Sequence, residues 1–165
     1  MFEGKSIIVT GASGGIGVPL VERLLSLGAR VIAIDINPNG ADILNSACKE
    51  AKHLVYYCSS LNSESSCKDL LGKETNIYGL VHLAGVFEPD NMLLGDTEKI
   101  FDPVMAANIR NIYMLYITVR NAMLRESAAR LILVSSLAFR RGAPNHTAYS
   151  AAKGALVGMT RSLAR

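Results

Sequence analysis

Cysteine is scarce in this chain, tryptophan is absent, and no apolar run approaches the roughly 18 residues that a membrane span needs. The three cysteines, Cys48, Cys58 and Cys67, are odd in number and lack C-x-x-C spacing, which argues against a disulfide framework, a zinc site or a redox motif. They read as reduced thiols. No charged segment followed by an apolar stretch opens the chain, so the sequence predicts a soluble, unprocessed, cytoplasmic protein. Strong charge of either sign is also missing. The net charge is +3, and Arg140 with Arg141 is the one adjacent basic pair, too little for a nucleic-acid footprint.

What is present is apolar and ordinary: 165 residues, 50% hydrophobic and 19% charged, enough to bury the core of one domain. There is no internal repeat, linker or low-complexity tract, so residues 1–165 are expected to form a single domain. Short β-branched runs near 6–10, 30–35, 53–57, 79–84 and 130–135 alternate with segments of helical period. The fold class is α/β, a parallel sheet covered by helices. Helices are expected over 15–28, 41–51, briefly after Ser63, over 98–125, and from about Ala148 onward. The last is still running at Arg165 with no stop signal, so the chain is expected to be a piece of a longer protein.

Between the first strand and the first helix lies Thr10-Gly-Ala-Ser-Gly-Gly-Ile-Gly17. Glycines at 11, 14, 15 and 17 allow a tight turn and close backbone approach to a pyrophosphate, whose charge the free amides and positive end of the next helix favour. Asp35 closes the second strand, where a carboxylate accepts ribose hydroxyls and repels a 2′-phosphate. Neither Gly14 nor Ile36 supplies a cation to neutralise such a phosphate, so NAD is preferred over NADP. The run Gly11-Ala-Ser-Gly-Gly15 also satisfies the nucleophile-elbow pattern of α/β-hydrolases around Ser13. That reading needs an oxyanion loop from an earlier strand, and no earlier strand exists.

A second informative segment runs from Leu133 to Lys153 and combines Ser136, Tyr149 and Lys153. Tyr and Lys four apart on a helix share one face, so the ammonium can sit beside the phenol and favour its ionised form. Ser136 stands at the C-terminal end of the fifth strand, where open α/β sheets bind ligands. Arg140, Arg141 and His146 lie between and read as a solvated loop.

With these residues together, the chain resembles the short-chain dehydrogenases/reductases. That family pairs a TGxxxGIG turn with an Asn in the fourth helix, a Ser after strand five, a Tyr thirteen residues on and a Lys four beyond. Here these fall on Asn108, Ser136, Tyr149 and Lys153. The resemblance implies a Rossmann-type sheet of order 3-2-1-4-5 and a hydride transfer between NAD(H) and a secondary alcohol or ketone. It implies no metal and a homodimer or homotetramer. By it, Tyr149 exchanges the substrate proton and Ser136 holds the substrate oxygen. Lys153 tunes the tyrosine and binds ribose, and Asn108 holds a water that links Lys153 to solvent. Cofactor contacts are implied for Gly11, Ser13, Gly14, Gly15, Ile16, Gly17, Asp35, Ile36, Ser60, Leu61, Ala84, Gly85, Tyr149 and Lys153.

Three departures stand out. The family's Asn-Asn-Ala-Gly after strand four is His82-Leu-Ala-Gly85 here, with His82 expected to be a buried, hydrogen-bonded structural substitute. Ser60 stands where an Asp commonly meets the adenine. The family's last two strands and substrate-covering loop have no counterpart, which would leave strand five as an apolar edge. An alternative follows from that absence: an NAD-binding module with little or no turnover.

Overall fold

The computed structural model describes residues 1–49, 51–90 and 97–165. Five parallel strands, β1 (Ser6–Thr10), β2 (Arg30–Asp35), β3 (Leu54–Cys58), β4 (Gly79–His82) and β5 (Arg130–Leu133), form one sheet in the order β3-β2-β1-β4-β5. This is the doubly wound order. The chain starts at the centre of the sheet, builds outward to β3, then crosses back to place β4 on the other side of β1.

Side chains alternate between the two faces of a strand, so a strand covered on both sides reads as a continuous apolar run. On one face Ile8, Ile32 and Leu80 pack against Leu71, Ile112, Leu115 and Leu156. These come from α3 (Glu64–Leu71), α5 (Asn111–Leu124) and α7 (Thr147–Leu163). On the other face Val9, Val31 and Val81 meet Val21, Leu24, Leu25 and Leu44 of α1 (Gly17–Ser26) and α2 (Gly40–Ala47). Each fully buried side chain of this size contributes roughly 1.5–3 kcal/mol of transfer free energy.

Several boundaries differ from expectation, each for a local reason. Helix α1 opens at Gly17 rather than Gly15, because Gly14 is spent closing the turn by donating to the Gly11 carbonyl at 3.2 Å. It ends where Gly28 adopts φ +88°, a left-handed stop that glycine favours. Helix α2 stops at Ala47, where Cys48 turns extended at ψ 115°, well short of Ala51; Glu50 lies outside the described residues. Strand β3 is displaced by one residue, because the turn Ala51–His53 takes the expected first position. Strands β4 and β5 end at His82 and Leu133, which places Ala84 and Ser136 on the segments that follow the strands.

The expected long helix is one helical run in three parts: α4 (Thr97–Met105), a π-helical stretch (Ala106–Arg110) and α5. A π turn inserts an extra residue into the helical ladder and is frequent at functional positions. Asn108 sits within it. A short helix not anticipated from the sequence, α6 (Ala138–Arg141), follows β5. The final helix, α7, ends at Leu163 rather than continuing through Arg165. Among the described residues no helix is long and apolar enough to cross a membrane.

Candidate active site

The C-terminal ends of β1, β2 and β4 open onto a cleft of about 490 Å³ whose lining includes Gly11, Gly14, Asp35, Ser60, Leu61 and Gly85. Crevices of this size at the point where strand order reverses are the usual ligand sites of open α/β sheets. Gly11 has φ +65°, and a Cβ there would stand 2.7 Å from the Ala84 amide, so the turn after β1 lies directly on the segment after β4. Helix α1 begins without a side-chain cap and with no acid in its first turn, leaving its positive end open towards an anion. Ile16 beside it and Ile36 after β2 are exposed, at 66% and 69%.

Asp35 is held in place by backbone donors. Its Oδ2 accepts from the Ser13 amide at 2.9 Å and its Oδ1 from the Ile36 amide at 2.8 Å. The carboxylate therefore links the glycine turn to the end of β2, and its negative charge borders the cleft that the two segments share. The Ser13 main chain is part of that link, an arrangement unlike an elbow built to present a nucleophilic hydroxyl.

Lys153 is clamped at both ends. Its ammonium donates to the Val134 carbonyl at 3.1 Å, while its own carbonyl accepts from the Ser135 hydroxyl at 2.7 Å. Helix α7, which also carries Tyr149, is thereby fixed to the segment that carries Ser136. The ammonium lies 5.6 Å from the centre of the Tyr149 ring. Burial holds the Lys153 ammonium below the ordinary lysine range. The Ser136 oxygen accepts from the Ala138 amide at 3.1 Å, which leaves the hydroxyl proton available for an incoming oxygen.

Asn108 is fully buried, and its amide donates to the carbonyls of Val86 and Val104 at 2.9 Å. Its Oδ1 has no hydrogen-bond partner among the described residues. A Cβ at Gly85 would collide with that oxygen and stand 3.2 Å from the Lys153 ammonium, so Gly85, Asn108 and Lys153 enclose one small polar space. A buried acceptor beside a buried ammonium fits an intervening water.

His82 is fully buried, as expected, and bonded through Nδ1 to the Thr10 hydroxyl at 2.7 Å. Thr10 also accepts from the Ala84 amide at 3.3 Å, so this pair ties β1 to the segment that forms the floor of the cleft. Burial, with the positive charge of Lys153 adding to it, pushes the His82 imidazole down to about 4. Two contributors, Asp90 and Phe87, escape a reading of the sequence, as does the bond between Thr10 and His82. In each case the partner lies tens of residues away, and no local pattern marks Asp90 or Phe87.

A family model described as short chain dehydrogenase matches residues 5–165. The chain belongs to this family. Among short chain dehydrogenase relatives, the 3-oxoacyl-[acyl-carrier-protein] reductase FabG of Rickettsia typhi is 32% identical over 162 residues. The alignment covers 98% of this chain and 66% of the relative. The 2,3-dihydroxy-2,3-dihydro-p-cumate dehydrogenase of Pseudomonas putida strain F1 is 33% identical over 171 residues, covering 99% of this chain and 65% of the relative. The chain thus spans a little under two thirds of these relatives. Levodione reductase superposes with a TM-score of 0.89 at 24% identity, over 99% of this chain and 66% of that one. A short chain dehydrogenase from Escherichia coli CFT073, complexed with NADPH, gives 0.88 at 26% identity, over 99% and 71%.

Proposed function

We propose that this short chain dehydrogenase is an NAD(H)-dependent oxidoreductase interconverting a secondary alcohol and a ketone, with Tyr149 as general acid/base. One observation supports the reading: the clamp between Lys153 and residues 134–135 joins α7, which carries Tyr149, to the segment that carries Ser136, and Lys153 at the same time borders Gly85 of the cleft. The nicotinamide, when bound, supplies the hydride chemistry. The protein's share is proton transfer and orientation. In oxidation the Tyr149 phenolate takes the proton of the substrate hydroxyl; in reduction the phenol returns it to the nascent alkoxide. The Ser136 hydroxyl donates to the substrate oxygen in both directions. The Lys153 ammonium stands 5.6 Å from the Tyr149 ring centre and places positive charge beside the proton-transferring group, and Asn108 Oδ1 would hold the water through which Lys153 exchanges protons with solvent.

The cofactor would lie with its pyrophosphate against the turn formed by Gly11, Ser13, Gly14, Gly15, Ile16 and Gly17, where the Ser13 and Gly14 amides already serve the turn itself, its adenosine between Asp35, Ile36, Ser60 and Leu61, and its nicotinamide over Ala84 and Gly85. The Asp35 charge supports NAD over NADP, because a 2′-phosphate at the end of β2 meets an anion. No metal enters the mechanism. The partner is a small-molecule alcohol or ketone, and exposed Tyr113 and Ile117 on α5 with Leu163 on α7 support assembly as a homodimer or homotetramer.

Changing Tyr149 to Phe tests the reading. Turnover should fall by about 10²–10⁴-fold, the usual contribution of a positioned acid/base, while NADH binding stays within a few-fold. Undiminished turnover would refute the mechanism, and tighter binding of NADPH than NADH in a fluorescence titration would refute the cofactor preference. A second reading, favoured by the chain's 66% span of its relative, is an NAD-binding module with little turnover. Steady-state turnover of this 165-residue chain on a panel of alcohols would exclude it.

A further inference from the structure

The proposed chemistry depends on where Tyr149 stands, and Tyr149 lies in the first turn of α7. The first amides of a helix have no intrahelical partners and must be satisfied from outside. The residue positioned to do this locally does not. His146 precedes the helix without making a side-chain cap bond, and its Nδ1 pairs with the Pro144 carbonyl at 2.7 Å instead.

The cap comes from a distant part of the chain. Asp90, 58 residues earlier, accepts from the Ala148 amide through Oδ2 at 2.7 Å. Its own amide donates to the Asn145 carbonyl at 2.7 Å, so backbone and side chain both join the segment after β4 to the entry of α7. Asp90 is only 5% exposed. Burial pushes its carboxyl up, but the amides of Ala148 and Thr147 outweigh that and hold it below the ordinary carboxylate range. Its Oδ1 has no hydrogen-bond partner among the described residues, so the amides of the helix terminus are the main stabilisers of the charge, with the Asp90 amide and His146 adding to them.

Phe87, on the same segment, reaches the tyrosine itself. Its ring stacks on His146 at 3.8 Å and meets the Tyr149 ring edge-on at 4.8 Å. Residues 87–90 therefore touch both the start of α7 and the side chain proposed to move the proton. The same segment continues back to Gly85 and Ala84 in the cofactor cleft.

We infer that Asp90 is a positioning residue: by capping α7 from the segment after β4, it fixes Tyr149 relative to the cofactor floor. The inference rests on the acid/base reading of Tyr149. Asp90 is not among the residues lining the cleft and caps the helix that carries Tyr149, so it acts through that helix. Losing it lets the first turn fray and Tyr149 drift, which slows the chemical step and leaves cofactor affinity alone.

The test compares D90A, which removes the acceptor, with D90N, which keeps one for the Ala148 amide. D90A should lower kcat about tenfold or more with KM for NADH within twofold, and D90N should stay within about threefold of the parent in kcat. Hydrogen exchange at the Ala148 and Tyr149 amides should speed up about tenfold in D90A and stay near the parent in D90N. Parent-like kcat in D90A, or equal loss of kcat and NADH binding in both variants, would overturn the inference. Should D90A not fold, rapid exchange of the Ala148 amide in the parent, or unrestored kcat in D90N, would overturn it equally. Absence of any turnover in the parent would count against the acid/base reading alone, because amide exchange still decides the cap.

Discussion

His82 replaces an amide side chain with a titratable one, and this has a consequence for stability. Its imidazole falls from an ordinary 6.5 to about 4 in the folded chain, so the native state keeps it neutral where the unfolded chain protonates it. The stabilisation is complete above about pH 6.5 and is lost as pH falls towards 4, amounting to about 3 kcal/mol over that interval. Urea titrations at pH 7.5 and pH 4.5 should show the loss, and a His82→Asn variant should show a correspondingly flatter dependence. An unchanged slope in that variant would place the acid sensitivity elsewhere. The buried position of His82 was legible in the sequence because it lies within an apolar strand. Its hydroxyl partner was not, since Thr10 is 72 residues away.

At the scale of elements, the turn after β1 is the most exacting. Ala at position 11 would take an unfavourable left-handed conformation and press its Cβ on the Ala84 amide at 2.7 Å. Gly11→Ala should therefore destabilise the chain by about 1–3 kcal/mol and weaken NADH binding at least tenfold, both measurable by denaturation and fluorescence titration. The glycine turn, the five strands and the Ser136, Tyr149, Lys153 spacing could all be read in advance, because each is a local pattern of period, turn chemistry or fixed separation. The elements that escaped reading depend on distant partners or on a break in period. Helix α6 is one turn long, the π stretch interrupts an otherwise regular helical pattern around Asn108, and the clamp from Ser135 to Lys153 joins two elements across a loop. Strand ends were overestimated because Leu83 and Val134 still donate single backbone bonds, to the Thr10 and His82 carbonyls at 3.2 Å, and keep the apolar run going beyond the last ladder pair.

For the molecule as a whole, the weak side is β5. It lies at the end of the sheet with Ile132 half exposed, and Leu124 and Leu163 are exposed on the helices beside it. A hollow of about 690 Å³ between α5 and α7, lined by Tyr113, Ile117 and Met159, continues this apolar face. Soluble monomers seldom carry such a surface next to a strand edge. The 165-residue chain should sediment as more than a monomer at micromolar concentration, and Ile132→Thr should shift it towards smaller species. A purely monomeric parent would show that this surface is tolerated in water.

The central position of β1 has a further consequence, in time. Thr10 and its partner His82 are separated by 72 residues, so during synthesis one edge of β1 emerges long before the strand that will cover it. At roughly 5–20 residues per second the interval is about 4–14 s, far longer than a hairpin or helix needs to form. Within that interval β2 and then β3 emerge and can associate with β1, while the Ile7 to Thr10 edge that β4 will cover remains open to any other extended chain. A nascent polypeptide of this topology is therefore most vulnerable to misassembly midway through its translation, before Gly79 appears.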